Sequence, residues 1–340
     1  MRHDVTRYNP GADEFLGIRS LVDPGNLIGR YRARTGPVGI ALGGGGARGI
    51  AHVGVLEALE EYPAIRPTLF AGTSAGSAIA VLAAAGLSVE EIREFSIELD
   101  WFKHVIPVRE AIDIRNINLA GLFPNTRLAE VINERIDHRS FDELPYDVAV
   151  TATDIENRRR VIITSHRVAR SISRRELERF LPPKKGNLPG AETLVLSDVE
   201  DVGLAVRASC AVPGFFRPVP IHTMQLVDGG LVDQTPVDVV RAMGASFSIG
   251  VSLALSFMPQ RLERARHAFS GTVGMLGIQQ LRKSLELADI GFQVSGIDER
   301  SPVKPHQTDL IDIGRNDMHA QIAAYFGRSR RRLRRAPRGR

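Results

Sequence analysis

Two short apolar runs near the start of the chain each end in a turn of small residues, and each is followed by a segment with helical spacing. In the first, Val38-Gly39-Ile40-Ala41-Leu42 runs into Gly43-Gly44-Gly45-Gly46, and Ile50, Val53, Leu56 and Leu59 then recur at the helix period. In the second, Thr68-Leu69-Phe70-Ala71-Gly72 meets a sharp turn at Thr73-Ser74-Ala75-Gly76. A helix of small residues follows from Ser77 to Ala85 and is stopped by Gly86. Two successive strand–turn–helix units bury their strands most readily side by side under helices, so the chain is expected to be α/β with a mainly parallel central sheet covered on both faces.

The rest of the sequence extends this pattern. Strands are expected over 146–153, 160–164, 225–227 and 246–255, with Glu156-Asn157 as a hairpin turn between the first two. Helices are expected over 125–136, 199–209, 236–243, 261–288 and 316–325. Residues 87–122 read as helical or mixed and carry the single tryptophan, Trp101; 302–314 read as a connection with a short strand. Residues 1–36 form an N-terminal extension broken by Pro10, Pro24 and Gly25, and 37–326 form the main domain. Residues 166–197, with Pro182-Pro183 in the middle, read as an insertion or lid. Residues 327–340 are an arginine-rich tail.

Composition bears on partners and compartment. The tail holds eight arginines and no acid, so a formal net charge of +5 leaves residues 1–326 at −3. The body is therefore no basic nucleic-acid binder, and a nucleic-acid role for the tail ranks last because no aromatic platform accompanies it. The tail is expected to solubilise the chain or to make peripheral contact with anionic lipid headgroups. The lone cysteine, Cys210, forms no internal bridge and demands no oxidising compartment. Met1-Arg2-His3-Asp4 leads into no apolar run of signal-peptide length, and no run of transmembrane length occurs. The expected location is cytoplasmic, with peripheral membrane contact.

Three turns carry the chemistry. Gly72-Thr73-Ser74-Ala75-Gly76 is a G-x-S-x-G between strand and helix, the setting of a nucleophile elbow. The helix that begins there directs its N-terminal amides at developing negative charge. Gly44-Gly45-Gly46-Ala47-Arg48-Gly49 also scans as G-x-G-x-x-G. A dinucleotide site would need an acid at the end of the second strand, where Gly72-Thr73-Ser74 stands instead. A P-loop would need Lys-Ser/Thr after the last glycine, where Ile50-Ala51 stands. What remains is an oxyanion hole formed by amides of Gly44, Gly45 and Gly46. Arg48 either holds that loop or a phosphate headgroup, or is a solvated helix-start arginine. Asp228-Gly229-Gly230 ends the 225–227 strand at the carboxyl edge of the sheet, where it is a turn-capping aspartate or a base.

Two arrangements of the base stay open. A triad in the order serine, acid, histidine would use Ser74, Asp228 and either His306 or His319. Neither histidine stands in a motif-like setting, and the elbow follows only one earlier strand. The other arrangement is a dyad in which Asp228 takes the proton from Ser74, provided apolar surroundings raise its carboxyl toward neutrality. His52 reads as core or as support for the glycine loop. A third reading, from another class, is a non-catalytic lipid- or nucleotide-binding protein on the same scaffold.

The three turns, in their order and spacing, resemble the patatin-like phospholipase family. Ala208-Ser209-Cys210-Ala211-Val212-Pro213-Gly214-Phe215-Phe216-Arg217-Pro218 and Ala152-Thr153-Asp154 resemble further blocks of that family. The likeness covers about 38–255 and continues more weakly to 326. It implies a three-layer α/β/α fold and a serine acyl hydrolase of phospholipase A type that cleaves lipid and phospholipid esters without metal or organic cofactor. By the same resemblance Ser74 is the nucleophile, Asp228 the base and Gly44–Gly46 the oxyanion loop. Arg48, Gly49, Gly72, Gly76, Gly229 and Gly230 are supporting positions. Gln234 departs from the pattern, which has asparagine there.

Overall fold

The computed structural model describes residues 36–99, 125–179, 192–253, 284–295 and 307–335. Among these, nine strands form one sheet: β1 (Val38–Leu42), β2 (Leu69–Thr73), β3 (Asp147–Asp154), β4 (Arg159–Thr164), β5 (Thr193–Leu196), β6 (Val219–Ile221), β7 (Met224–Asp228), β8 (Phe247–Leu253) and β9 (Ile290–Val294). The order along the sheet is β5-β4-β3-β2-β1-β8-β9. Strands β3, β2, β1, β8 and β9 are mutually parallel. β4 is antiparallel to β3, and the β6–β7 hairpin adds to β3 through β7.

The helices are α1 (Ala51–Glu60), α2 (Ala75–Ala84), α3 (Val89–Glu98), α4 (Thr126–Arg135), α5 (His166–Ser171), α6 (Arg174–Arg179), α7 (Val202–Ser209), α8 (Val237–Ala242) and α9 (Gln307–Arg335). Alternate strand residues divide between two cores. Ile40, Leu42, Phe70, Val148, Val150, Val161 and Ile163 pack with α1–α4, α7 and α9. Ala41, Ala71, Ala149 and Ile162 pack with α5, α6 and α8. The fold is three-layer α/β/α with a mainly parallel central sheet. Helices on both faces explain why β1, β2 and β8 are buried along their whole length and read as nearly continuous apolar runs.

Several boundaries differ from the sequence reading. The hairpin at Glu156-Asn157 forms as expected, between β3 and β4. In the stretch read as an insertion, 166–179 carries α5 and α6, and 193–196 is the edge strand β5 paired with β4. β9 lies beside β8 where no strand was expected. The last helix begins at Gln307 rather than Asn316 and continues through Arg335 into the arginine-rich segment. Residues 307–314, read as part of a connection with a short strand, are helical. Gly314 lies inside α9, where a Cβ would sit 2.0 Å from the Ala51 carbonyl of α1. The N-terminal extension up to 35, Trp101, almost all of the 261–288 helix and His306 lie outside the described residues. Among the described residues no helix is long and apolar enough to cross a membrane.

Candidate active site

The register of one strand brings the two distant turns together. β2 runs parallel to β3 with Thr73 opposite Thr151; β7 runs antiparallel to β3 with Asp228 opposite Ala152. The other edge of β3 is occupied by β4 over these same rows. β2 and β7 therefore share one edge and meet end to end, carboxyl end to carboxyl end, on neighbouring rungs about 3.3 Å apart. Ser74 and Asp228 are the residues at that junction.

Ser74 holds φ 52° and ψ −129°, a left-handed backbone that a non-glycine residue adopts only under constraint. The constraint comes from three sides. The Ser74 amide donates to Ser209 Oγ at 2.8 Å, and that hydroxyl donates to the Thr151 carbonyl at 2.6 Å. The Ser74 carbonyl accepts from the amide and hydroxyl of Ser77 at 2.8 and 2.6 Å. The flanking glycines allow the turn to close: a Cβ on Gly76 would lie 2.2 Å from the Leu42 carbonyl, and one on Gly72 would lie 2.4 Å from Ser77 Cα. Ser74 remains 8% exposed at the start of α2.

The Ser74 hydroxyl stands close enough to the Asp228 carboxyl to draw its pKa down. Burial pushes the Asp228 carboxyl up to about 6, against the opposing pull of the Ser74 hydroxyl and the Gly230 amide, which donates to Asp228 Oδ1 at 2.8 Å. Thr153 Oγ1 donates to the Asp228 carbonyl at 2.9 Å and fixes the strand end. Gly229 is buried at the start of a 3₁₀ turn, Gly229–Leu231. Burial raises the Cys210 thiol far above the ordinary range, helped by the Asp228 charge and opposed by the nearby Ser74 and Ser77 side chains.

The glycine loop lies on the other side of Ser74. A Cβ on Gly44 would come 3.1 Å from the Ser74 Cβ. The expected trio of amides is narrowed here. The Gly44 N–H donates to the Gln234 carbonyl at 3.1 Å, so it is not available to a substrate oxygen. The amides of Gly45 and Gly46 take no part in the loop and turn hydrogen bonds of the described residues. Gly46 opens the 3₁₀ turn Gly46–Ile50, which holds half-buried Arg48 and buried Gly49; the Arg48 amide donates to the Gly45 carbonyl at 3.2 Å.

His52 is a support rather than a reactive group. Its Nε2 donates to the Gly43 carbonyl at 2.7 Å, and burial lowers its imidazole to about 4, so it stays neutral and pins the loop. His319 stands at the far end of α1, a helix about 15 Å long, with Nδ1 facing the Tyr62 hydroxyl at 3.3 Å and Nε2 facing Glu61 at 3.2 Å. It is not the third member of a triad.

A family model described as patatin-like phospholipase matches residues 40–241, a span that holds the glycine loop, Ser74 and Asp228. The chain belongs to the patatin-like phospholipase family. Among curated relatives, an uncharacterised NTE family protein of Mycobacterium tuberculosis is 27% identical over 229 residues, 66% of this chain and 51% of the relative. Patatin-like phospholipase domain-containing protein 6 of Homo sapiens is 28% identical over 218 residues, 64% of this chain and 13% of that protein. The chain thus spans about half or less of the length of these relatives. Among solved structures, the type III effector ExoU aligns with TM-score 0.45 at 16% identity, covering 85% of this chain and 53% of ExoU. VipD from Legionella pneumophila aligns with TM-score 0.43 at 13% identity, covering 85% and 67%.

Two contributors were not legible as such in the sequence of this patatin-like chain. Ser209 lay in a block noted only for resemblance, and Gln234 was noted only as a departure. Their partners, Ser74 and Gly44, are 135 and 190 residues away along the chain.

Proposed function

We propose that this chain is a lipid acyl hydrolase of phospholipase A type that works through a Ser74–Asp228 dyad. The Ser74 oxygen attacks the ester carbonyl carbon while its proton passes to the Asp228 carboxylate. The carbonyl oxygen becomes anionic and is received by the amides of Gly45 and Gly46. As the tetrahedral centre collapses, the bond to the alcohol breaks and Asp228 returns the proton to the leaving oxygen, giving an acyl-serine. Water, deprotonated by Asp228, then attacks the acyl-serine; the acid leaves and Ser74 regains its proton. The observation that supports this reading is the meeting, on neighbouring rungs of β3, of a serine in a strained turn and a buried carboxylate raised to about 6. A carboxylate of that basicity is nearer the optimum for proton transfer at neutral pH than an exposed aspartate.

The arginine-rich end adds a proposed contact with anionic phospholipid surfaces, worth about 1 kcal/mol for each basic residue near the surface.

The test uses a serine-directed fluorophosphonate together with a panel of phospholipids, lysophospholipids, triacylglycerols and p-nitrophenyl esters. Labelling and hydrolysis are expected in the wild type and absent in Ser74→Ala. Labelling that persists in Ser74→Ala, or a folded wild type that neither labels nor hydrolyses any ester, would favour a non-catalytic lipid-binding role.

A further inference from the structure

We infer that Gln234 is a positioning residue, its carboxamide spanning the two halves of the site and fixing the glycine loop against the Asp228 turn. This rests on the hydrolase reading above and extends it to a residue outside the dyad.

Gln234 grips Gly44 twice. Its Nε2 donates to the Gly44 carbonyl at 2.8 Å, and its own carbonyl accepts the Gly44 amide at 3.1 Å. The side chain is 4% exposed. A Cβ on Gly44 would lie 3.0 Å from Gln234 Nε2 and 3.1 Å from the Ser74 Cβ, so Gly44 is held between the carboxamide and the nucleophile. On the other side, a Cβ on Gly230 would lie 2.6 Å from Gln234 Oε1 and 3.0 Å from Asp228 Oδ1. One planar amide thus lies between the residue beside Ser74 and the residue that donates to Asp228. The segment carrying it is itself fixed: Thr73 Oγ1 donates to the Asp233 carbonyl at 2.9 Å, and the Asp233 amide donates to the Gly229 carbonyl at 2.9 Å.

The chemistry follows from what the grip leaves free. With both polar groups of Gly44 engaged, the next two peptide units, whose amides the proposed mechanism assigns to the oxyanion, have a fixed origin. Loss of the carboxamide frees the Gly44 carbonyl and lets that origin shift. Donors displaced by about 1 Å lose much of their effect, on the order of 10²-fold in rate. Asparagine is one methylene shorter and would not span the same gap from this backbone position.

The experiment compares wild type, Gln234→Ala and Gln234→Glu. In Q234A, kcat for a p-nitrophenyl ester is expected to fall about 10²-fold with KM close to wild type, since the group touches no substrate. Q234E keeps the shape, but its ionised carboxylate has no hydrogen to offer the Gly44 carbonyl. Relative to wild type at the same pH, its kcat is expected to rise as the pH is lowered and the carboxyl regains an O–H, so the ratio of the two rates falls on the alkaline side. Amide hydrogen exchange of residues 43–46, measured on the same proteins, is expected to quicken in Q234A while β2 stays protected. Turnover and loop exchange equal to wild type in Q234A would overturn the inference, as would a Q234E loss that is the same at every pH. A wild type that hydrolyses no ester would sink the hydrolase reading instead, and the exchange measurement would still decide whether Gln234 holds the loop.

Discussion

Asp228 is held as a charge where charge is costly. Its native carboxyl titrates near 6, while in the unfolded chain it titrates at 3.8. The folded state therefore binds this proton more tightly, and stability attributable to Asp228 is lost as pH rises from about 4 to about 6. Above that window the ionised group lowers stability by about 3 kcal/mol. Asp228→Asn is thus expected to melt higher than wild type at pH 8, with the gain shrinking toward pH 4 in thermal melts, while hydrolysis is lost. In the wild type the base must be ionised, so kcat/KM is expected to fall tenfold per pH unit below about 6. A rate flat from pH 8 to pH 4.5 would remove Asp228 as the base. Both proposed reactive residues stood out in the sequence because each stands in a local turn with its own glycine grammar. The basicity was not, since it depends on what covers the carboxylate.

The pairing of α1 with α9 shows what helical spacing alone does not reveal. Gly54 of α1 meets α9 so closely that a Cβ would fall 1.8 Å from the Ile311 carbonyl, and Gly314 answers it against the Ala51 carbonyl. Glu57 on α1 is bound by Arg93 Nη1 at 2.8 Å and by Arg315 Nε at 2.8 Å, which ties α3 and α9 to the same helix. Gly54→Ala would force the two helices apart and is expected to cost about 1–3 kcal/mol or more, read as a fall in Tm of several degrees. An unchanged Tm would mean that the helices do not pack at this distance. The sequence pattern placed α1, α2, α4 and α8 and the strands β1–β4, β7 and β8 close to where they lie, since apolar period and turn residues act locally. It read the first turns of α9 as a connection with a short strand, because a glycine that serves helix packing carries no local sign of that role. It missed β5, β6 and β9 because β5 and β9 are edge strands and β6 is a three-residue hairpin arm, so each is set by its pairing partner rather than by its own composition.

At the scale of the whole molecule, α9 closes one face of the core. Leu310, Ile311, Met318, Ile322 and Phe326 are buried, and Phe326 is the last of them. Removing residues 328–340 is expected to leave Tm within about 2 °C of the full chain, because no described core contact is lost. Removing 307–340 strips five large apolar side chains, each worth about 1.5–3 kcal/mol, a loss comparable to the whole net stability of an ordinary domain. The first truncation should give a sharp cooperative melt and the second an aggregated or unfolded chain; a cooperative melt in the second would show that the sheet folds without this cover. The end-to-end meeting of β2 and β7 on β3 has a consequence for how such a protein can diversify. The proposed nucleophile and base are indexed to adjacent rungs of a third strand, so nothing about their encounter is measured along the covalent path between them. Loops and whole helices in that path can lengthen, shrink or be exchanged to suit a different lipid, and the chemistry will stay in register so long as β3 keeps its two tenants.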